Sequence, residues 1–405
     1  MDPAVVTLCV LAVACFLFVT ELIPLAVTAM AACTALGILG VLPSKQVYAG
    51  LSNSTVVLFG GMFVIGAAMF RTGLAQAIGV AVVKKAGTNE VPLMGAVMLV
   101  TIVLSSVSSN TGTVACLMPV IIGICQAAKI APSRQLMPLA IAANVGGTIT
   151  MIGTPPNVIV TGALSAAGLP TFGFFEFAYI GIPLSIIVFF FTLFIGRHLL
   201  PKNDIGEMDE EALKEAAEEA GAGGDDEPKS TTKMWISGLI MIGVVICMAL
   251  DLKTLPLQTA AVTGAILCVI TGCLKEKEAY AGIDWVTIFL FAGMLSVATA
   301  MEKTGAGKLI ADAVVGSMGE HPNAVVLCAV LYLISNVLTQ FMSNTAAAAL
   351  LAPIGISIAQ SIGADPKPVL MAIGIAASMA FATPMATPPN TLVLGPGGFT
   401  FNDYV

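Results

Sequence analysis

Charge is what this sequence has least of. Only 10% of its 405 residues are charged, against about 25% in an average soluble domain. Hydrophobic residues make up 57% and mean hydropathy is +0.97. A water-soluble globular chain is excluded, and the composition is that of a polytopic membrane protein. Histidine is almost missing: His198 lies beside Arg197 at the end of an apolar segment and His321 beside Pro322 in a loop. Neither has the cysteine or carboxylate neighbours of a catalytic or metal site. With no Ser/His/Asp set and no phosphate loop after a strand, an enzyme is not expected. The nine cysteines sit singly inside apolar segments, which excludes paired zinc or redox spacing and leaves them as small hydrophobes. The net charge of −7 comes largely from one acidic run, Glu207 to Glu227, and implies no nucleic-acid partner. The N-terminal apolar stretch has no basic residue before it and no clear cleavage site, so it reads as a first span, not a removable signal peptide.

Apolar segments of roughly 20 residues, long enough to cross a bilayer, run over residues 4–20, 23–42, 55–70, 136–163, 172–200, 234–250, 255–274, 286–300 and 369–394. Residues 71–85 and 303–318 mix small apolar residues with single charges and read as amphipathic connectors along the interface. Residues 201–233, rich in Glu, Ala and Gly, read as a flexible linker.

Two polar stretches recur in this apolar background. Ser109-Asn110-Thr111 lies in the run 91–128 and returns in the second half of the chain as Ser343-Asn344-Thr345. Each copy has a proline ten residues after its serine, Pro119 and Pro353, and each is followed by Thr-Pro-Pro-Asn, at 154–157 and 387–390. One Ser-Asn-Thr alone is a common helix cap or turn, and one Thr-Pro-Pro-Asn a surface turn. Two copies of both, in step and inside apolar segments, favour a functional role. The register extends further at one constant offset: Ile23-Pro24-Leu25 matches Leu255-Pro256-Leu257, and Phe59-Gly60-Gly61-Met62 matches Phe291-Ala292-Gly293-Met294. Residues 1–200 and 234–405 are therefore two copies of one unit. The glycine pairs Gly60-Gly61 and Gly146-Gly147 read as places of close helix packing.

With its triplet hairpin re-entrant or doubly spanning, the first copy crosses an odd number of times, five by this segmentation, so the second inserts upside down. The basic residues agree. Twelve of the seventeen Lys and Arg fall on one side, with Arg71, Lys129, Arg197 and the acidic linker, and the positive-inside rule makes that side cytoplasmic. The expected fold class is an all-α polytopic membrane protein of two inverted-topology repeats, each with a re-entrant helical hairpin and a broken transmembrane helix, at 136–163 and 369–394. The second copy reaches Val405 without a counterpart of the span 172–200, so a missing C-terminal span is expected.

Pro155-Pro156 and Pro388-Pro389 remove backbone donors and push the preceding residue out of the α region, breaking those helices at Gly153 and Ala386. Irregular backbone at membrane depth persists only where it is buried in protein or lines a wet cavity. The broken halves offer carbonyls that suit sodium and amide ends that suit an anion. The triplets add hydroxyls and amides at two hairpin tips, expected to meet near the bilayer centre. No Asp, Glu, Lys, Arg or His lies in the hairpin arms or broken helices. A proton relay needs an ionisable group there, so sodium coupling is favoured, and the anion's charge must be offset by helix ends and bound cations. Ser105 and Thr339, each four residues before its triplet serine and so one helical turn back, are candidate co-ligands.

The doubled Ser-Asn-Thr, the doubled Thr-Pro-Pro-Asn and the early Thr20-Glu21-Leu22-Ile23-Pro24-Leu25-Ala26-Val27-Thr28-Ala29 together resemble the divalent anion/sodium symporter family of the ion transporter superfamily. Its members carry di- and tricarboxylates or sulfate, and the resemblance covers essentially the whole chain. Many members have a further N-terminal span and a final span, both expected to be absent here. The resemblance implies a homodimer in the plasma or bacterial inner membrane. Its scaffold part (1–90 and 234–320) would hold a transport part (91–200 and 321–405) that moves like an elevator, with the linker 201–233 cytoplasmic. It implies one sodium site at Ser105, Ser109, Asn110 and the Gly153 carbonyl, and another at Thr339, Met342 through its backbone, Asn344 and the Ala386 carbonyl. Substrate would meet Asn110, Thr111, Thr154, Asn344, Thr345 and Thr387. The implied partners are the anion, sodium and the bilayer, with no cofactor beyond the coupling ions.

The first reading is thus sodium-coupled uptake of a small divalent anion, foremost a four-carbon dicarboxylate such as succinate. Sodium-independent anion exchange is the alternative, and the basic residue expected to replace a bound sodium is not present. A missing intramembrane carboxylate argues against a sodium/proton antiporter; an arsenite-type permease or a non-transporting protein of the same fold stays open. The hydroxyls and amides suit dicarboxylate, tricarboxylate and sulfate alike.

Overall fold

The structure is a computed structural model and describes residues 2–87, 89–202, 230–250, 254–318 and 323–405; the acidic linker over 203–229 and His321 lie outside the described residues. All regular structure in the described residues is helical. The first copy contains α1 (Pro3–Thr20), α2 (Leu25–Ile38), α3 (Ser44–Val47), α4 (Ser54–Arg71), α5 (Leu74–Ala86), α6 (Glu90–Val107), α7 (Asn110–Ala128), α8 (Ser133–Gly147) and α9 (Pro155–Ala166). It closes with α10 (Ala178–Phe191), prolonged by a π turn at Thr192–Gly196. The second copy contains α11 (Thr231–Ala249), α12 (Leu257–Ile270), α13 (Glu276–Ala281), α14 (Trp285–Thr304), α15 (Ala306–Met318), α16 (Ala324–Thr339), α17 (Asn344–Ser361), α18 (Pro366–Ser378) and α19 (Pro388–Leu394).

The nine helices α11–α19 follow α1–α9 in order. Matched residues open matched helices: Leu25 and Leu257 begin α2 and α12, and Pro155 and Pro388 begin α9 and α19. Among the described helices seven have the length and composition to cross a bilayer, including α1, α4, α11 and α14. The segments expected at 23–42 and 255–274 are the shorter α2 and α12, because Pro24 and Pro256 occupy their N-caps and proline carries no N–H to extend a helix backward. The two amphipathic connectors are α5 and α15. Each follows a left-handed glycine, Gly73 (φ 81°) and Gly305 (φ 73°), a turn that residues with a Cβ make only at a cost.

The described chain forms two compact units. One holds Met1–Gly60, Pro155–Phe172 and Asp284–Ala380; the other holds Gly61–Thr154, Gly173–Ile283 and Phe381–Val405. Each therefore mixes elements of both sequence copies, and the chain changes unit inside each broken helix, between α8 and α9 and between α18 and α19. Glycines make the mixing tight. In the second unit a Cβ at Gly61 of α4 would lie 2.8 Å from the Ala261 carbonyl carbon of α12. In the first, a Cβ at Gly293 of α14 would lie 2.7 Å from that of Ala29 in α2. These are the same two positions in the two copies, so the fourth helix of each copy packs on the second helix of the other. Small residues that let backbones touch are the means by which apolar helices associate without a hydrophobic drive.

Candidate functional site

In the Gly61–Thr154 unit, α6 and α7 are the arms of the first hairpin, and Ser108-Ser109 makes the turn. Ser109 is the N-cap of α7, its hydroxyl accepting from the Gly112 N–H at 3.4 Å. Its side chain thus serves the helix end, the plain role that Ser-Asn-Thr allows. Asn110 and Thr111 are the first two residues of the helix, where backbone N–H groups have no intrahelical acceptor.

Behind the tip, oxygens converge. The fully buried Ser105 hydroxyl lies 2.5 Å from Asn110 Oδ1 and 2.7 Å from the Ala143 carbonyl oxygen of α8, and its single proton cannot serve both. The Gly153 carbonyl completes the group. If the amide is turned to bring Nδ2 inward, Ala143 O at 3.1 Å, Gly153 O at 3.0 Å and Ser105 Oγ at 2.5 Å are within its reach, and its two protons serve Gly153 and Ser105 while Ser105 donates to Ala143. With the oxygen inward the cluster holds four acceptors and one proton, a surroundings for a hard monovalent cation. With the nitrogen inward the amide closes the cluster itself. Two glycines permit the approach: a Cβ at Gly147 would lie 2.6 Å from Asn110 Oδ1, and one at Gly153 would lie 2.4 Å from the Gly147 carbonyl oxygen. The close packing expected of Gly146-Gly147 is found at Gly146, against the Ile102 backbone.

The Asp284–Ala380 segment repeats the arrangement. Thr339 Oγ1 lies 2.7 Å from Asn344 Oδ1 and 2.7 Å from the Ala377 carbonyl oxygen. The sequence separations, 5 and 38 residues, equal those in the first copy. Ser343 stands at the N-cap of α17 without a side-chain cap bond. Met342 is buried and its N–H returns to Leu338 O. Asn336 and Gln340 each donate to the Met379 carbonyl at 3.1 Å, satisfying the open end of α18. Ala386, also buried, belongs to the other unit.

Both threonines of the Thr-Pro-Pro-Asn motifs, Thr154 and Thr387, are buried. Thr387 donates its hydroxyl proton to Asn144 Oδ1 at 3.1 Å, Asn144 donates to Asn390 Oδ1 at 3.1 Å, and Asn390 donates to the Thr383 carbonyl at 2.9 Å. The Tyr404 hydroxyl holds the Asn390 carbonyl at 2.8 Å. The structure thus joins Ser105, Asn110 and Gly153 in one cluster and Thr339 and Asn344 in another. It adds Ala143, Ala377 and Asn144, which sequence reasoning missed, and sets Gly147, expected as a close-packing site, against Asn110. The two alanines act through backbone alone, which leaves no side-chain signal. Asn144, a lone amide in an apolar segment, was there to be noticed.

The model of the family described as CitMHS, citrate transporter, matches residues 15–366 and 341–405. The chain belongs to the citrate transporter family. An uncharacterized transporter of Haemophilus influenzae is 30% identical to it, across 96% of this chain and 85% of that one. The uncharacterized transporter YfbS of Escherichia coli is 24% identical across 98% and 95%. The sodium-dependent dicarboxylate transporter SdcS of Staphylococcus saprophyticus is 26% identical across 94% and 78%. The fold is similar to the crystal structure of the Alcanivorax borkumensis YdaH transporter, with a TM-score of 0.63, 15% identity, and coverage of 98% and 90%. As a member of the citrate transporter family with seven helices of spanning length among its described residues, the chain is an integral membrane transporter and not an enzyme. The resemblance to divalent anion/sodium symporters agrees with the sodium-dependent dicarboxylate transporters among its relatives.

Proposed function

We propose that this transporter couples sodium entry to uptake of a divalent anion, foremost a four-carbon dicarboxylate such as succinate. The observation that carries the reading is the acceptor-rich cluster of Ser105, Asn110, Ala143 and Gly153, with its counterpart at Thr339, Asn344 and Ala377. Neutral oxygens in excess of protons, with no carboxylate in residues 91–128 or in α16 and α17, suit a monovalent cation. The free amides opening α7 and α17 suit the anion. Ser109 joins the first sodium site and Met342 the second, while Thr111, Thr154 and Thr387 with Asn110, and Thr345 with Asn344, are the candidate substrate contacts. In this reading the copies insert with inverted topology and the linker 201–233 faces the cytoplasm of a cell with this protein in its plasma or inner membrane. A homodimer holds its scaffold parts (1–90 and 234–320) still, while the transport parts (91–200 and 321–405) move as elevators. Relatives named as sodium-dependent dicarboxylate transporters support the ion and the substrate class. The test is uptake of labelled succinate into proteoliposomes: an inward sodium gradient is expected to drive accumulation, and uptake indifferent to sodium would refute coupling.

A second reading has its own observation. With the Asn110 amide rotated, Ser105, Ala143 and Gly153 are satisfied without an ion, as sodium-independent exchange of anions requires. Succinate counterflow in sodium-free buffer would decide for it, and the same assay with citrate and sulfate ranks the substrates.

A further inference from the structure

We propose that Asn144 is a positioning residue that links the first cation cluster to the second Thr-Pro-Pro-Asn motif, so that sodium held at Ser105 and Asn110 sets how Thr387 meets the anion. The proposal rests on the sodium-coupled reading above. Ala143 and Asn144 are consecutive and both buried in α8. The carbonyl of the first belongs to the cation cluster, and the amide of the second bonds two residues of the motif, Thr387 and Asn390.

The polarity of that relay is fixed at one end. The Thr383 carbonyl only accepts, so Asn390 must turn its nitrogen toward it and its oxygen toward Asn144 Nδ2. Asn144 is then left with its oxygen toward Thr387, whose hydroxyl proton it takes. While the relay is intact, Thr387 offers an anion lone pairs and no proton. A hydroxyl has one proton to give, and a buried anion without donors is costly. A cation that draws the Ala143 carbonyl inward tilts the peptide joining it to Asn144 and changes the grip of Asn144 on Thr387. The equivalent position in the second copy is Ser378, as far beyond Asn144 as Ser343 is beyond Ser109, and it donates to Gly374 O of its own helix at 3.0 Å. The linkage therefore belongs to the first cluster alone and makes the two sodium sites unequal.

Linkage is a ratio of affinities and reciprocal between ligands, so it can be measured apart from stability. Succinate binding to the purified full chain is titrated at low and high sodium, with choline as replacement, for the wild type and for Asn144→Ser, which installs the residue of the second copy. The wild-type ratio of succinate Kd values is expected within the usual range of roughly 5–150-fold, and Asn144→Ser is expected to bring it close to one. Asn390→Ala cuts the same relay from its other end, should lower the ratio in the same way, and replaces Asn144→Ser should that variant fail to fold. A purely structural role would weaken binding equally at both sodium levels; an unchanged ratio in these variants overturns the proposal alone. A wild-type affinity indifferent to sodium overturns the sodium-coupled reading, and the linkage with it.

Discussion

At the scale of single residues, the two oxygen clusters depend on how few protons they contain. Ser105 and Thr339 each have one proton between two acceptors, so the side-chain amide beside each decides whether a cation is needed. Asn110→Ala removes an acceptor of the first cluster, and its uptake should need about tenfold more sodium for half-saturation, the equivalent of about 1.4 kcal/mol. Its melting temperature in sodium-free buffer should stay near that of the wild type. Gly147→Ala acts by a different route, since its Cβ would meet Asn110 Oδ1 at 2.6 Å. Overpacking of this kind costs about 1–3 kcal/mol, so a lower melting temperature and loss of sodium-dependent stabilisation should appear together in a thermal-shift titration.

At the scale of helices, breaks and close crossings divide the work. The segment between α8 and α9 and that between α18 and α19 stay open because paired prolines begin the second half of each and cannot donate to the turn before them. Replacing Pro388-Pro389 with two alanines restores two backbone donors and should abolish succinate uptake while leaving expression and circular dichroism intact. The crossings of α4 on α12 and of α14 on α2 rest on Gly61 and Gly293, which face equivalent alanines at nearly equal distances. Gly61→Leu and Gly293→Leu should therefore lower thermal stability by similar amounts, and a large disparity between them would mean that the two crossings are not energetically equivalent.

At the scale of the whole molecule, the proposed inverted insertion fixes where charged landmarks lie. A protease site placed in the linker 201–233 should be cut in inside-out vesicles and protected in right-side-out ones. A cysteine at Lys367, introduced with the native cysteines replaced, should react with an impermeant maleimide from the opposite side. Both labels on one face would refute the inversion while leaving the helical fold untouched.

Sequence alone determined the membrane class, the duplication and the place of both motifs. Sparse charge admits no soluble core, and the interval at which the motifs return is a property of the string of letters. Asn110, Asn344, Ser105 and Thr339 were legible because their side chains carry the chemistry and recur in step. Only the tertiary structure decided that each compact unit is built from both copies, that Ala143 and Ala377 lend their carbonyls, and that the Ser109 hydroxyl accepts a helix-cap bond. It also decided that Thr387 donates to Asn144. The reason is physical: backbone oxygens are the same in every residue, and a hydrogen bond between positions 243 residues apart exists only once the chain has folded back on itself.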